Sequence, residues 1–428
     1  MHKKSSELID ISKIRIGMFV ELGIGWMSHP FPTGSFKISS ARQIETIRSL
    51  GLTQVRYFPE KSDLADAGED APHPSVKQTK VSGGVQPSLE SAAPSMSGSQ
   101  QRDALISAQR RSLADCESRF QNGLDLFKEA SQQVQLNPKA AATQCTGLID
   151  DFLNEVLVPE ETSVRLLAQG AGDRAGIHAI NVSVLAILLG NAMKLDRVQL
   201  QELGLAALLH DIGKTQLPEG VRWQNKHFSS AEHKLYQEHV VRGEALARKM
   251  GLSEVTVQAI GQHHEMLDGN GFPLRIKSEH LTLPARILAV VNRYENLCNP
   301  AQVTESVTPH EALSLLFAQM KTRFDGVVLG AFIRMMGVHP PGSLIQLMDD
   351  RYAMVVAANT SRPLKPKVII HDPEIPIHEA LVVDLEQTPD IGIRRSIKPA
   401  NLPPASQDYL APRRRVNYFF ERIEPLAA

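Results

Sequence analysis

Thiols are scarce in this chain of 428 residues, which carries only Cys116, Cys145 and Cys298. They stand far apart, odd in number and without a CxxC pair, which argues against a disulfide framework or a thiolate zinc site and suits a reducing, cytoplasmic setting. Aromatic residues are sparse too, at 5% with two tryptophans. Neither sign of charge dominates: 46 Lys and Arg against 47 Asp and Glu leave a formal net charge of -1. That balance offers no electrostatic reason to expect a nucleic-acid polymer or a membrane surface as partner. No run of about 18 apolar residues marks a membrane span. The opening MHKKSSELIDISKIRIGMFVELG has lysines but lacks the apolar stretch of a signal peptide, and no internal repeat is visible. What remains, 42% hydrophobic and 22% charged, is the composition of a soluble globular protein long enough for about two or three domains.

Residues 1–62 alternate short β-like runs, KIRIGMFVEL and QVRYFP, around the helical pattern SARQIETIRSLG, and read as a small α/β domain. Residues 63–101 turn to Ser, Pro, Gly and Ala, too poor in large apolar side chains to offset the entropy of ordering, and read as a disordered linker. A helical connector follows over 102–164, with Leu113, Cys116, Phe120, Leu124 and Phe127 at helical spacing. Such a helix could pair with a copy of itself as a homodimer or fold back. Residues 165–338 form a helical bundle in which GIHAINVSVLAILLGNAMKL is apolar nearly all round, as a central helix should be. The last segment, 339–428, reads as a small β-rich tail packed on the bundle, with strands in SLIQLMDDRYAMVVAAN, KVIIHD and VNYFFERI. The fold class is therefore mainly α.

Imidazoles gather in two stretches, LLHDIGK at 208–214 and HHEMLDGNGFP at 263–273. Adjacent helical residues diverge by about 100°, so His210 and Asp211 can aim at one point only where their helix ends, an ending that Gly213 would supply. Consecutive imidazoles such as His263 and His264 are rarely tolerated in a core without partners. With His239 and His178 on neighbouring helical patterns, five imidazoles and one carboxylate form a set that favours cations over a mere polar network. Glu265 reads equally well as an orienting partner or a surface charge. His227, His233, His280, His310, His339, His371 and His378 lie outside the motifs and are expected to be solvated or packed.

These motifs, from HAINVSVLA through HDIGK and His239 to HHEMLDGNGFP and ARILAVVNRYENL, resemble the HD-GYP subgroup of HD-domain phosphohydrolases, whose members hydrolyse cyclic di-GMP. The likeness covers about residues 165–337, and a small N-terminal domain of uncharacterised role often precedes such bundles. The resemblance implies an HD-type bundle holding two divalent ions, iron or manganese. His178, His210, His239, His263, His264 and Asn292 would be ligands, with Asp211 bridging the ions. A hydroxide shared by the metals would attack phosphorus, Lys214 would neutralise a phosphate oxygen, and Gly271, Phe272 and Pro273 would shape the substrate pocket, with Gly269 and Gly271 permitting left-handed turns. Cyclic di-GMP is then the expected partner, with other signalling proteins as further candidates.

The chain departs from the pattern at four places. Phe272 stands for the signature tyrosine. Arg174, four residues before His178, replaces a glutamate that binds an additional ion in some members. Asn292 occupies a usual aspartate position, and Ala301 and Thr304 replace basic residues that contact phosphate. The expected activity is a metal-dependent cyclic di-GMP phosphodiesterase. The alternative is a degenerate domain that binds the dinucleotide or a protein without turnover.

Overall fold

The computed structural model describes residues 6–23, 35–50, 52–62, 98–158, 162–167, 173–224, 226–359, 362–388, 390–411 and 415–422. The expected linker at 63–101 lies outside them, apart from its last four residues, which open a helix. Two compact units divide the chain at Leu105 and Ile106.

The N-terminal unit is α/β, as its alternating runs suggest. Strands β1 (Glu7–Asp10), β2 (Phe19–Glu21) and β3 (Ser35–Lys37) precede helix α1 (Ala41–Ser49) and strand β4 (Gln54–Tyr57). The antiparallel sheet runs β1-β4-β2-β3, with Val20 opposite Tyr57. Ser40 starts α1 by accepting a hydrogen bond from the Gln43 N–H. Ile14, Val20, Ile38, Ile47 and Val55 fill a core of the unit's own.

The division falls within α2 (Gly98–Gln133), whose stripe Cys116, Phe120, Leu124 and Phe127 in the second unit is buried in the main core, so that part of the helix folds back on the bundle. Next come α3 (Pro138–Val156), strand β5 (Thr162–Leu166), α4 (Arg174–Ala192), α5 (Arg197–Leu209), α6 (Ser230–Met250), α7 (Glu254–Gln262), α8 (Leu283–Cys298), α9 (Pro309–Met320) and α10 (Gly326–Met336). Polar side chains set the helix starts: Asp173 accepts from the Gly176 N–H, Asp196 and Ser229 form reciprocal capping boxes, and Ser253 and Thr282 cap α7 and α8. By length and composition α4 is apolar enough to cross a membrane, but 83% of that window is buried inside the unit. The expectation of no such run missed it because His178, Asn181 and Ser183 interrupt the apolar letters.

Strand β5 is a second correction, since a helical connector over 102–164 and a helical bundle over 165–338 were expected. Its five residues are all buried, so no alternation betrays a strand, and the expected boundary at 164 and 165 cuts through it. It is a central strand of the C-terminal sheet. Strands β6 (Leu344–Leu347), β7 (Tyr352–Ala357), β8 (Lys367–Ile370), β9 (Val383–Asp384) and β10 (Ile393–Ile397) are followed by α11 (Pro404–Leu410) and β11 (Tyr418–Arg422). The order is β10-β6-β7-β5-β11, with β8 beside β7 and β9 beside β8. Phe419 on β11 meets Phe120 and Phe152 edge-on at 6.3 and 5.5 Å, which binds the tail to the bundle.

Candidate metal centre

His178 lies in the second turn of α4, His210 caps the C-terminus of α5, His239 is in the middle of α6, and His263 caps α7 with His264 following. Asp211 leads into a short 3-10 turn, Ile212–Gln216. Gly213 was expected to supply the end of α5, which stops at Leu209, and its φ is not positive. It is needed for close approach: a Cβ there would lie 2.0 Å from the His239 carbonyl oxygen and 2.5 Å from the Gly243 nitrogen. The α5 end and α6 therefore touch backbone to backbone, which brings His210, Asp211 and His239 together.

Backbone carbonyls set the ring tautomers. Nδ1 of His210, His239 and His263 contacts the carbonyl three residues earlier, of Ala207, Tyr236 and Ile260, at 2.7, 2.5 and 2.7 Å. A carbonyl only accepts, so each Nδ1 carries the proton and each Nε2 turns a lone pair inward. His178 Nδ1 instead meets the buried Glu295 carboxylate. Six of the seven expected ligands, all but Asn292, converge into two groups that share Asp211: His178 and His210 in one, His239, His263 and His264 in the other, with ligand atoms within 4.8 Å of one another in each group. Asp211 Oδ2 is 3.5 Å from Nε2 of both His178 and His210, while Oδ1 is 3.4 Å from His239 Nε2 and 3.8 Å from His263 Nε2. One carboxylate oxygen thus faces each group.

The electrostatics suit cations. Burial lowers the imidazoles, His210 to about 4 and His239 and His263 to about 3, with His264 also pushed well below its ordinary value. Burial alone would raise the Asp211 carboxyl, but Lys214 and the surrounding rings outweigh it and hold the group well below the usual carboxylate range. Neutral rings around an ionised carboxylate are the protonation states that divalent ions require. Asp211 Oδ1 and Nε2 of His239, His263 and His264 are buried and have no hydrogen-bond partner among the described residues. His178 Nε2 and His210 Nε2 face each other at 3.0 Å. Several inward lone pairs left unsatisfied in one place fit a pair of divalent ions bound through nitrogen and oxygen.

Residues around the cluster extend the site. Glu295 is buried on α8, and its Oε1 accepts from Asn181 at 3.1 Å and Asn299 at 2.7 Å. Both amides also donate to the Val416 carbonyl, at 3.1 and 2.8 Å, so the C-terminal segment helps orient His178. Glu265 is 1% exposed and accepts from the N–H groups of Leu274, Arg275 and Ile276 at 2.6, 2.9 and 3.2 Å. It therefore holds the DGNGFP loop, which ends its reading as a surface charge. Gly269 has φ +72°, as expected, but Gly271 has no positive φ; its missing Cβ would fall 2.5 Å from the Glu265 Cα. Phe272 stacks on His264 with centroids 4.4 Å apart.

A cavity of about 500 Å³ opens on the cluster, lined by His263, His264, Gly271, Phe272, Asn292 and Ala301 but not by Pro273. Asn292 Oδ1 accepts from Asn296 Nδ2 at 2.6 Å. Lys214 pairs with Asp211 and lies 4.8 Å from the Trp223 ring centroid, and Arg174 covers the same ring at 4.0 Å. Glu295, Trp223, Arg293 and Arg323 were missed from sequence. For Glu295 a signal existed: Asn292, Glu295, Asn296 and Asn299 form a polar stripe at i, i+3, i+4 and i+7 on a largely apolar helix.

Helical bundle, shared aspartate and paired histidine groups together make a site suited to two divalent ions. Residues 157–328 match the family described as HD domain, and residues 6–145 match a domain of unknown function, DUF3391. The curated relatives it resembles are phosphodiesterases of cyclic dinucleotides. It is 26% identical over 364 residues to a cyclic di-GMP phosphodiesterase of Pseudomonas aeruginosa, spanning 84% of each chain. It is 25% identical over 192 residues to the cyclic di-GMP phosphodiesterase PdeB of Borreliella burgdorferi, covering 45% of this chain and 51% of that one. A 3'3'-cGAMP-specific phosphodiesterase of Vibrio cholerae is 25% identical over 225 residues, 52% of this chain and 47% of its own length. The chain thus spans most of the first relative and about half of the other two. Among solved structures, an HD-GYP-type protein of Bdellovibrio bacteriovorus aligns over 77% of this chain and 98% of its own at 14% identity, with a TM-score of 0.37.

Proposed function

We propose that this protein is a metal-dependent phosphodiesterase that opens cyclic di-GMP. The observation that carries the reading is Asp211, with one oxygen toward His178 and His210 and the other toward His239 and His263. Those residues and His264 would hold two divalent ions, iron or manganese as the family resemblance implies, with Asn292 as a further ligand from the cavity wall. Bound there, the ions supply an acidified water and positive charge against the phosphoryl oxygens. The chain's own residues do the remainder. Carbonyls of Ala207, Tyr236 and Ile260 keep the donor nitrogens aimed inward, and Glu295 does the same for His178. Lys214, beside Asp211, brings a point charge to a phosphate oxygen. Phe272 and Trp223 offer flat faces in the cavity for a purine.

The test is direct. The full chain purified without oxygen should carry nearly two equivalents of iron or manganese and release linear dinucleotide or mononucleotide from cyclic di-GMP, and His210→Ala should abolish both properties. Metal-loaded protein that binds but never cleaves would sink the reading.

A second reading, binding without turnover, draws on Asn292. A neutral amide withdraws one anion from the centre, and at about 4 Å with an effective dielectric near 20 that charge is worth roughly 4 kcal/mol per unit of metal charge before screening. Activity that arises in Asn292→Asp and is absent from the natural chain would favour it.

A further inference from the structure

The cavity beside the histidine cluster holds cations that the sequence motifs leave unexplained. Arg293 comes from α8, one residue after Asn292, and Arg323 from the turn between α9 and α10; both line the cavity. Arg293 Nε is buried without a hydrogen-bond partner among the described residues. Burial, and then the nearby charge of Arg323, disfavour the charged form of Arg293. Arg323 has one carboxylate neighbour, Asp268, at 3.7 Å. Asp268 is already engaged by the signature loop, where Oδ1 accepts from the Asn270 N–H at 3.0 Å.

Of the carboxylates lining the cavity, Glu265 is taken up by the N–H groups of Leu274, Arg275 and Ile276, and Glu305 pairs with Lys226 at 2.6 Å. Among the described residues the two guanidiniums therefore have only the partly committed Asp268, beside Arg323, to offset them. Such an arrangement is costly unless an anion completes it, and a guanidinium fork is suited to phosphate. Ala301 lines the same cavity at a position where the resembling family carries a basic residue.

We propose that Arg293 and Arg323 position the substrate by binding its second phosphate, the one that is not being cleaved. The inference rests on the phosphodiesterase reading for the first phosphate, at the histidine cluster. It makes the two arginines specificity-determining: they favour a ligand with two phosphates, such as a cyclic dinucleotide, over a simple phosphodiester.

The experiment uses the full metal-loaded chain, with cyclic di-GMP and bis(p-nitrophenyl) phosphate as two-phosphate and one-phosphate probes. In Arg293→Gln and in Arg323→Gln, the ratio of kcat/KM for cyclic di-GMP to that for the simple diester should fall at least about tenfold, mainly through KM. Arg293→Lys should recover part of the loss, and metal content should match the parent. A ratio unchanged within about twofold overturns the proposal even though the enzyme is active. If the parent cleaves neither probe, calorimetric binding of cyclic di-GMP decides. Affinity weakened about tenfold or more in both glutamine variants keeps the subsite while the catalytic reading falls. Equal affinity in parent and variants, or no binding by the parent, overturns the subsite.

Discussion

Glu295 shows how much one residue away from the substrate can matter. It is buried, holds the His178 ring, and is itself held by Asn181 and Asn299. In Glu295→Gln the side chain keeps its shape but loses the charge that favours the Nδ1 proton, so metal affinity should fall about 10- to 100-fold. Titration against a chromophoric chelator measures this, and unchanged affinity would contradict the assigned role. The buried imidazoles also give the metal-free protein a pH signature. Their folded values, about 3 for His239, His263 and His339 and about 4 for His210, lie below the ordinary histidine value of 6.5. Below about pH 6.5 the unfolded chain takes up protons that the folded chain refuses, so stability is fully present above that pH and declines as pH falls toward the folded values. Melting of the chelator-treated protein should give a flat Tm above about pH 6.5 and a falling Tm below it.

Among the elements, the contact between α6 and the 3-10 turn that follows α5 governs the site. A methyl group at position 213 would collide with the backbone at His239 and Gly243, and neither partner is a flexible side-chain tip. Gly213→Ala should therefore cost about 3 kcal/mol or more and loosen the metal centre, beyond ordinary overpacking. Gly147, exposed on α3 with open space for 4 Å around the point a methyl group would occupy, is the control. Gly147→Ala should be neutral or stabilise by up to about 1 kcal/mol, since alanine is the better helix former. Urea midpoints and metal content of the two variants separate the outcomes. The HDIGK motif announced a glycine with a structural task, but the reason is an approach between segments some thirty residues apart, which no local pattern encodes.

On the scale of the whole molecule, the second unit has its own core, and the histidine cluster lies wholly within it. Residues 106–428 produced alone should fold and retain the metal content of the full chain, as metal analysis and circular dichroism would show. Removing residues 415–428 from the full chain should do the opposite. Phe419 and Phe420 belong to the main core, and the Val416 carbonyl accepts from the two asparagines that hold Glu295. The tail is thus structural support for the metal site rather than an appendage, and a soluble, metal-retaining truncation would refute that view.

Much of this was legible in one dimension. Apolar spacing marked α2 and α4, alternation and turn residues marked the C-terminal strands, and the His and Asp letters named all six side chains that converge, because a buried cluster of such groups is costly without a cation. What stayed hidden depended on partners distant in sequence. Strand β5 is recognisable only beside β11 and β7, Glu295 only against His178, and Arg293 only as a cation that lines one cavity with Arg323. The amino-acid order determined which groups could bind a metal, since donor chemistry resides in each side chain. The tertiary structure decided which lone pairs point at one place and which charges are left uncompensated, since both follow from distances that folding alone creates.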